Sequence, residues 1–269
     1  MIEAYLNRLG IDRPSRIDSD TLAALQAVHQ QAIPFENIDV WSGVPLDLDP
    51  DALFDKILRR NRGGFCYELN SLFARLLTEL GFDVRMMSAG VVNAEGLVGP
   101  PFDHMCLRVV CDDGSWLSDV GFGRAPLRPL RLEASERIED PIAAFRLRQM
   151  LENRDGFDTG AWDFAREAPD NPRSGPDGWM PLYVFDSRDR HLREFSPMCA
   201  WHQSSPDSVF QQTLIVTRAT RAGRVSVRGM NWFREHTGAR EEGVFADPSE
   251  RKSFIEREFG LILPAGPAL

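Results

Sequence analysis

Lysine is nearly absent from this 269-residue chain: Lys56 and Lys252 stand alone, and every other Lys/Arg position is arginine. The bias reads as coding preference rather than chemistry and points to no function. Long apolar runs are missing as well. No stretch approaches the ~18 consecutive apolar residues of a membrane span, and Met1-Ile2-Glu3-Ala4-Tyr5-Leu6 is no basic leader followed by an apolar segment. A cytoplasmic protein with no membrane partner is expected. Excess positive charge is also lacking. The formal net charge of -9 removes general attraction to nucleic acid, which needs a basic surface to release counterions. Cysteine is sparse: Cys66, Cys106, Cys111 and Cys199 show no C-x-x-C spacing. Cys106 and Cys111 lie in one expected strand, too far along it to bridge. Neither a disulfide framework nor a metal site is expected.

What is present is an ordinary globular composition, 43% apolar and 26% charged, in a chain long enough for one large domain or two to three small ones. Leu22, Leu25, Val28 and Ala32 recur at helical spacing and predict a helix over Ser19–Ala32, capped by Asp18 or Ser19 and closed by Pro34. A second helix opens at Asp49-Pro50, buries Leu53, Phe54 and Ile57, and breaks at Gly63-Gly64. The third is the clearest, with Leu69, Leu72, Phe73, Leu76, Leu77 and Leu80 on one face and Gly81 as its stop. Strands are predicted at 84–92, 105–111 and 116–120, with Asp112-Asp113-Gly114 turning between the last two. Residues 127–195 are mixed and include a loop at 167–178. Further strands are predicted at 182–185, 210–217 and 224–228, and a helix over Pro248–Phe259. The plan is α+β rather than alternating βαβ units.

Arg62-Gly63-Gly64-Phe65-Cys66-Tyr67 carries the first chemical signal. Two glycines permit close backbone approach, and a thiol in the first turn of a helix feels the positive end of its dipole, which favours the thiolate. Cys66 is on these grounds either a nucleophile or a small apolar residue filling a helix contact. A thiol nucleophile needs a base and a group to orient that base. His104 and Asp119 are the best candidates; His29, His191, His202 and His236 have no better context. If the hairpin turns at Asp113-Gly114, Asp119 pairs with Arg108 and His104 with Gly123. Both side chains then share a face but stand about 13 Å apart along the strands. Parity agrees and distance does not, so a half-buried histidine and a turn-capping aspartate stay open as readings.

Four segments in order, Pro34-Phe35-Glu36-Asn37, Arg62-Gly63-Gly64-Phe65-Cys66-Tyr67-Glu68-Leu69-Asn70, Asp103-His104 and Asp119-Val120-Gly121-Phe122-Gly123, resemble the arylamine N-acetyltransferases. Residues 179–185 and 201–210 are also similar, and the resemblance weakens after about Asn231. It implies a three-domain, cysteine-protease-like arrangement: a helical domain over 1–86 carrying Cys66, a β-barrel over 87–190 carrying His104 and Asp119, and an α/β lid over 191–269. It implies a ping-pong acyltransferase of xenobiotic metabolism. Acetyl-CoA, as co-substrate, acylates Cys66; CoA leaves, and an arylamine or arylhydrazine attacks the thioester. Cys66 is then nucleophile, His104 base and Asp119 orienting carboxylate. Phe35, Phe122 and Phe210 match substrate-pocket aromatics, with core packing as the alternative for each, and Gly123 starts the turn near the CoA pyrophosphate. Glu36 and Arg62 are expected to form a structural ion pair, and Arg124 and Arg128 are candidates for CoA phosphates. A monomer or weak homo-oligomer is expected. The short C-terminus, ending Leu263-Pro264-Ala265-Gly266-Pro267, leaves the tail's role at the CoA cleft open. Three other functions compete: an amide synthase of aromatic polyketide assembly using the same triad, a cysteine peptidase, and a binding protein with a vestigial triad.

Overall fold

The computed structural model describes residues 1–263 except 134, 222, 237 and 238. Its N-terminal part is helical. α1 (Ile2–Leu9) precedes α2 (Ser19–Ala32), and the Asp18 carboxylate caps α2 by accepting the Thr21 N–H at 2.9 Å. Next come the two-residue strand β1 (Phe35–Glu36) and the short α3 (Ile38–Trp41). The predicted second helix is divided: Asp49 caps α4 (Pro50–Phe54), which widens into a π-helical turn over Asp55–Arg59. α5 (Cys66–Leu80) is buried along nearly its whole length. Its Leu69, Leu72, Phe73 and Leu76 share one core with Tyr5, Leu6, Leu22, Leu25, Leu53 and Ile57. Each such side chain removed from water contributes about 1.5–3 kcal/mol, so α5 is a rigid rod and its first residue, Cys66, is fixed with it.

Eight antiparallel strands follow: β2 (Asp83–Val91), β3 (His104–Cys111), β4 (Gly114–Ser118), β5 (Leu130–Arg131), β6 (Ser135–Asp140), β7 (Ala143–Gln149), β8 (Trp162–Glu167) and β9 (Trp179–Phe185). Their order is β5-β4-β3-β2-β9-β8-β7-β6. Leu130 from one edge strand and Ile138 from the other pack into the same cluster as Met87, Phe145, Phe164 and Tyr183. The sheet therefore curls into a nearly closed barrel filled by side chains. Strands β6 to β8 lie in the region read as mixed, where arginines and acidic residues interrupt the apolar alternation.

The β3–β4 hairpin corrects the predicted register. Cys111 pairs with Gly114 and Arg108 with Leu117, so the turn is the two-residue Asp112-Asp113, a length whose twist suits the flanking strands. Asp119 does not pair with Arg108; it sits just beyond the end of β4, closer to His104 than expected.

The last part holds α6 (Ser196–Ser204), α7 (Val209–Gln212), strands β10 (Ile215–Thr220), β11 (Gly223–Arg228), β12 (Asn231–His236) and β13 (Ala239–Val244), and α8 (Pro248–Phe259). The predicted strand at 210–217 is split. Ser208 Oγ accepts the Phe210 N–H at 3.2 Å and starts α7, which delays the strand until Ile215. Phe254, Ile255 and Phe259 of α8 cover Val216, Val225 and Val227 of the sheet. β1 joins this sheet at its edge, Phe35 opposite Thr217 and Glu36 opposite Val216. The whole is an α+β multi-domain plan. No helix among the described residues is long and apolar enough to cross a membrane.

Candidate active site

The chain reaches Cys66, the first residue of α5, through two positions, Gly63 and Gly64, that admit no side chain. A Cβ on Gly63 would stand 2.1 Å from the Pro34 carbonyl oxygen, and one on Gly64 would meet Glu68 at 2.9 Å. Beneath this turn lies a buried charge network. Arg62 pairs with Glu36 and Asp39, both at 2.8 Å, and Lys56 pairs with Asp39 at 2.8 Å and Glu68 at 2.7 Å. Glu68 also accepts the Phe65 N–H at 3.0 Å. The expected Glu36–Arg62 pair is thus one edge of a wider network that clamps the entry to α5. Such a network is costly to break, since removing one partner strands a buried charge.

His104 begins β3 and Asp119 follows β4, each 2% exposed. His104 Nε2 lies 2.8 Å from Asp119 Oδ2. The carboxylate has three further partners: Asn70 Nδ2 donates at 3.0 Å, the Gly121 N–H at 2.8 Å and the Tyr183 hydroxyl at 3.0 Å. Burial alone pushes Asp119 up, but His104, Asn70 and the Gly121 amide outweigh it and hold the group below the usual carboxylate range. Asn70 extends the brace, donating to the Met105 carbonyl at 2.6 Å and accepting the Val120 N–H at 3.0 Å. It sits one helical turn after Cys66, on the same face of α5.

Two contacts bring Cys66 to the same junction. The Met105 amide, next in the chain after His104, hydrogen-bonds the thiol, and the Gly121 backbone presses on that of Cys66. A Cβ on Gly121 would stand 2.8 Å from Cys66 Cα and 2.6 Å from Asn70 Nδ2. Burial pushes the thiol well above the usual range, Asp103, Cys199 and Asp119 push the same way, and the Met105 amide opposes them. The helix dipole expected to favour the thiolate, worth about 0.3–1 kcal/mol, is outweighed.

The remaining predicted residues border this junction. Phe122 meets the His104 ring edge-on at 5.2 Å. Phe35 and Phe210 face each other at 6.1 Å, and Phe210 also abuts Phe65 at 5.6 Å. Gly123 has φ 74°, and a Cβ there would meet Thr217 at 2.9 Å, so the turn requires glycine. Arg124 is open to solvent, yet surrounding protein and the nearby Arg166, Arg228 and Arg173 lower its pKa. Arg224 is 6% exposed, its Nη2 has no hydrogen-bond partner among the described residues, and burial with Arg166 and Arg124 brings it down to about 10 although Glu235 opposes. Arg128 is separate, its backbone N–H held by Asp140 at 2.9 Å. Asn70 and Asp103 stood in the quoted motifs, and Tyr183 and His202 in the further similar stretches, without a role. The C-terminal stretch from 264 onward lies outside the described residues. Among those residues no cluster of His, Cys, Asp and Glu could hold a metal ion.

A family model described as "N-acetyltransferase" matches residues 18–267. The chain is 36% identical over 267 residues to the arylamine N-acetyltransferase of Mycolicibacterium smegmatis, covering 96% of this chain and 91% of that one. It is 30% identical to the arylamine N-acetyltransferase / N-hydroxyarylamine O-acetyltransferase of Salmonella typhimurium, covering 97% and 88%. Among solved structures, the Mycobacterium marinum arylamine N-acetyltransferase in complex with CoA superimposes with a TM-score of 0.86 at 28% identity, covering 97% of this chain and 93% of that one.

Proposed function

Because the chain belongs to the arylamine N-acetyltransferase family, we propose that this acyltransferase carries acetyl groups from acetyl-CoA to arylamines and arylhydrazines through an acetyl thioester on Cys66. The carrying observation is the junction of α5 with the barrel, where the Cys66 thiol, the His104–Asp119 pair at 2.8 Å and the Asn70 brace converge. In this reading the helical part (1–86) supplies the nucleophile, the barrel (87–190) the base, and the part after 190 the cover.

Asp119 engages His104 Nε2, which leaves Nδ1 as the ring nitrogen that removes the Cys66 proton. The sulfur then attacks the acetyl carbonyl of acetyl-CoA, the carbon–sulfur bond to CoA breaks, and the CoA thiolate departs with the proton from His104. An arylamine next attacks the thioester carbonyl, His104 takes the amine proton, the Cys66–acetyl bond breaks, and the departing sulfur recovers that proton from His104. Asp119 fixes the tautomer and stabilises the imidazolium in both halves. Storing the acetyl group as a thioester keeps it activated while one cleft exchanges CoA for amine.

Two features support these substrates. Arg124, Arg166, Arg224 and Arg228 lie near one another and form no ion pair among the described residues, and such a cluster suits the phosphates of CoA. Phe35, Phe122 and Phe210 offer faces and edges suited to an aromatic amine. Intact-mass spectrometry after brief incubation with acetyl-CoA tests the reading. One acetyl group is expected on wild type and none on Cys66→Ala, with release by an arylamine such as anisidine. A wild-type protein that gains no acetyl group while its Cys66 thiol still reacts with an alkylating agent refutes acetyl-CoA as donor.

A further inference from the structure

A second imidazole–carboxylate pair lies directly behind the first. His202, on α6, places Nε2 3.1 Å from Asp103 Oδ1, with side-chain exposures of 5% and 16%. The same nitrogen is 3.3 Å from the Asp103 carbonyl oxygen, and Nδ1 faces Ser208 Oγ at 3.4 Å. Asp103 precedes His104 in the chain, and its other carboxylate oxygen accepts the Val91 N–H at 3.1 Å. The turn the pair holds is unusual. Phe102 has φ 71°, a left-handed conformation costly for a bulky side chain. It is kept there by its N–H on Ser88 Oγ at 2.7 Å and by the Tyr67 hydroxyl on its carbonyl at 2.6 Å.

The pair also touches both sides of the site. The His202 ring packs edge-on against Phe210 at 5.1 Å and lies 6.1 Å from Tyr67. After burial, the Asp103 charge is the largest influence opposing ionisation of the Cys66 thiol. The titratable groups around the pair are Cys66 and Tyr67 on α5, Cys199 on α6, and His104 with Asp119 from the barrel.

We propose that His202 is a positioning residue for the transfer reaction: hydrogen-bonded to Asp103, it fixes that carboxylate beside Cys66 and locks the turn from which His104 projects. The inference rests on Cys66 being the nucleophile. It extends the site to α6, so that one contact ties the segment bearing Phe210 to the strand bearing His104. Without His202, Asp103 presents a bare carboxylate to the developing thiolate. Without Asp103, His202 has no carboxylate to hold.

The test is the rate of Cys66 alkylation by iodoacetamide from pH 6 to 10, read by peptide mass on wild type, His202→Gln, Asp103→Asn and the double variant. His202→Gln replaces the rigid ring with a flexible amide that no longer fixes the Asp103 carboxylate, and its profile is expected to move up by about half a pH unit, roughly a threefold slower reaction at neutral pH. Asp103→Asn is expected to move the profile down, and the double variant not to move it up. A His202→Gln profile that superimposes on wild type overturns the proposal, as does an upward shift that persists in the double variant. If His202→Gln does not fold, Asp103→Asn decides alone: an unchanged or raised profile refutes the role given to the Asp103–His202 contact. Wild-type acetylation by acetyl-CoA, followed in parallel, separates the two readings. An acetyl adduct without these shifts sinks the His202 role only, and the shifts without an adduct sink the acetyl-CoA reading only.

Discussion

Asn70→Ala removes one amide and disturbs three separate places. Its Nδ2 donates to the Met105 carbonyl at 2.6 Å and to Asp119 Oδ1 at 3.0 Å, and its Oδ1 accepts the Val120 N–H at 3.0 Å. Asn70 is 0% exposed, so water does not readily replace it. An orphaned buried donor or acceptor costs about 1–3 kcal/mol. With the Gly121 amide and Tyr183 still serving Asp119, the backbone amide of Val120 and carbonyl of Met105 bear most of the loss. We expect destabilisation of about 3–5 kcal/mol, a large share of the ~5–15 kcal/mol that holds a typical domain. Activity falls further than stability explains, because Met105 and Asp119 are the groups that place the thiol and the imidazole. In the folded fraction, acetylation of Cys66 is expected to slow about 10- to 100-fold, the usual loss when an orienting partner is removed. Urea denaturation gives the first quantity and a single-turnover acetylation rate below the transition gives the second. A variant that loses less than about 1 kcal/mol and acetylates at the wild-type rate refutes the claim that Asn70 braces the site.

Gly121→Ala places a Cβ 2.6 Å from Asn70 Nδ2 and 2.8 Å from Cys66 Cα; the backbone must shift, and acetyl-Cys66 formation is expected to disappear from the intact-mass spectrum even where the variant folds. Arg224→Gln removes a buried guanidinium with an unsatisfied nitrogen, so its Tm is expected to stay or rise while KM for acetyl-CoA increases about tenfold; steady-state kinetics at two salt concentrations check this, the variant showing the weaker salt dependence. His29 is buried against Tyr5, and burial lowers its pKa from the ordinary 6.5 to about 3. The unfolded chain therefore binds a proton that the fold excludes, and stability falls as pH drops from 6.5 towards 3, by up to about 4 kcal/mol. In His29→Gln the acid side of the Tm-against-pH curve is expected to be flatter than in wild type.

How much of this was legible in the sequence follows from the range of the forces involved. α2, α5 and α8 were readable because a 3.6-residue apolar period and capping residues act within a few positions. Cys66 at the start of α5 was readable for the same reason, since Gly63 and Gly64 mark a break and Leu69 the face. The contact of His104 with Asp119 was not. It depends on a hairpin turn of two residues and on Asp119 lying past the last ladder pair, where Asn70 and Tyr183 rather than strand geometry place its carboxylate. Asn70 was within reach, four positions after Cys66 on the same helical face. Tyr183 was not, being 64 residues from Asp119 on another strand. The gathering of Arg124, Arg166 and Arg224 is likewise tertiary, because a loop, the barrel and the second sheet each contribute one.

The state of the thiol shows how local and tertiary forces divide the work. A helix start next to a cysteine suggests a preformed thiolate, but the dipole contributes about 1 kcal/mol at most, and burial beside Asp103 and Asp119 pushes the other way. In the proposed chemistry it is His104, and not the helix start alone, that offsets this burial. That arrangement fits the proposed chemistry in both directions. When the amine attacks, the same sulfur must depart from the acetyl carbon, and a nearby imidazolium then stabilises the thiolate as it forms. Asp119, kept ionised by His104, Asn70 and the Gly121 amide, holds His104 ready to accept the proton in each half of the cycle, so the control of reactivity lies in the barrel that meets α5 and not in the helix that carries the sulfur.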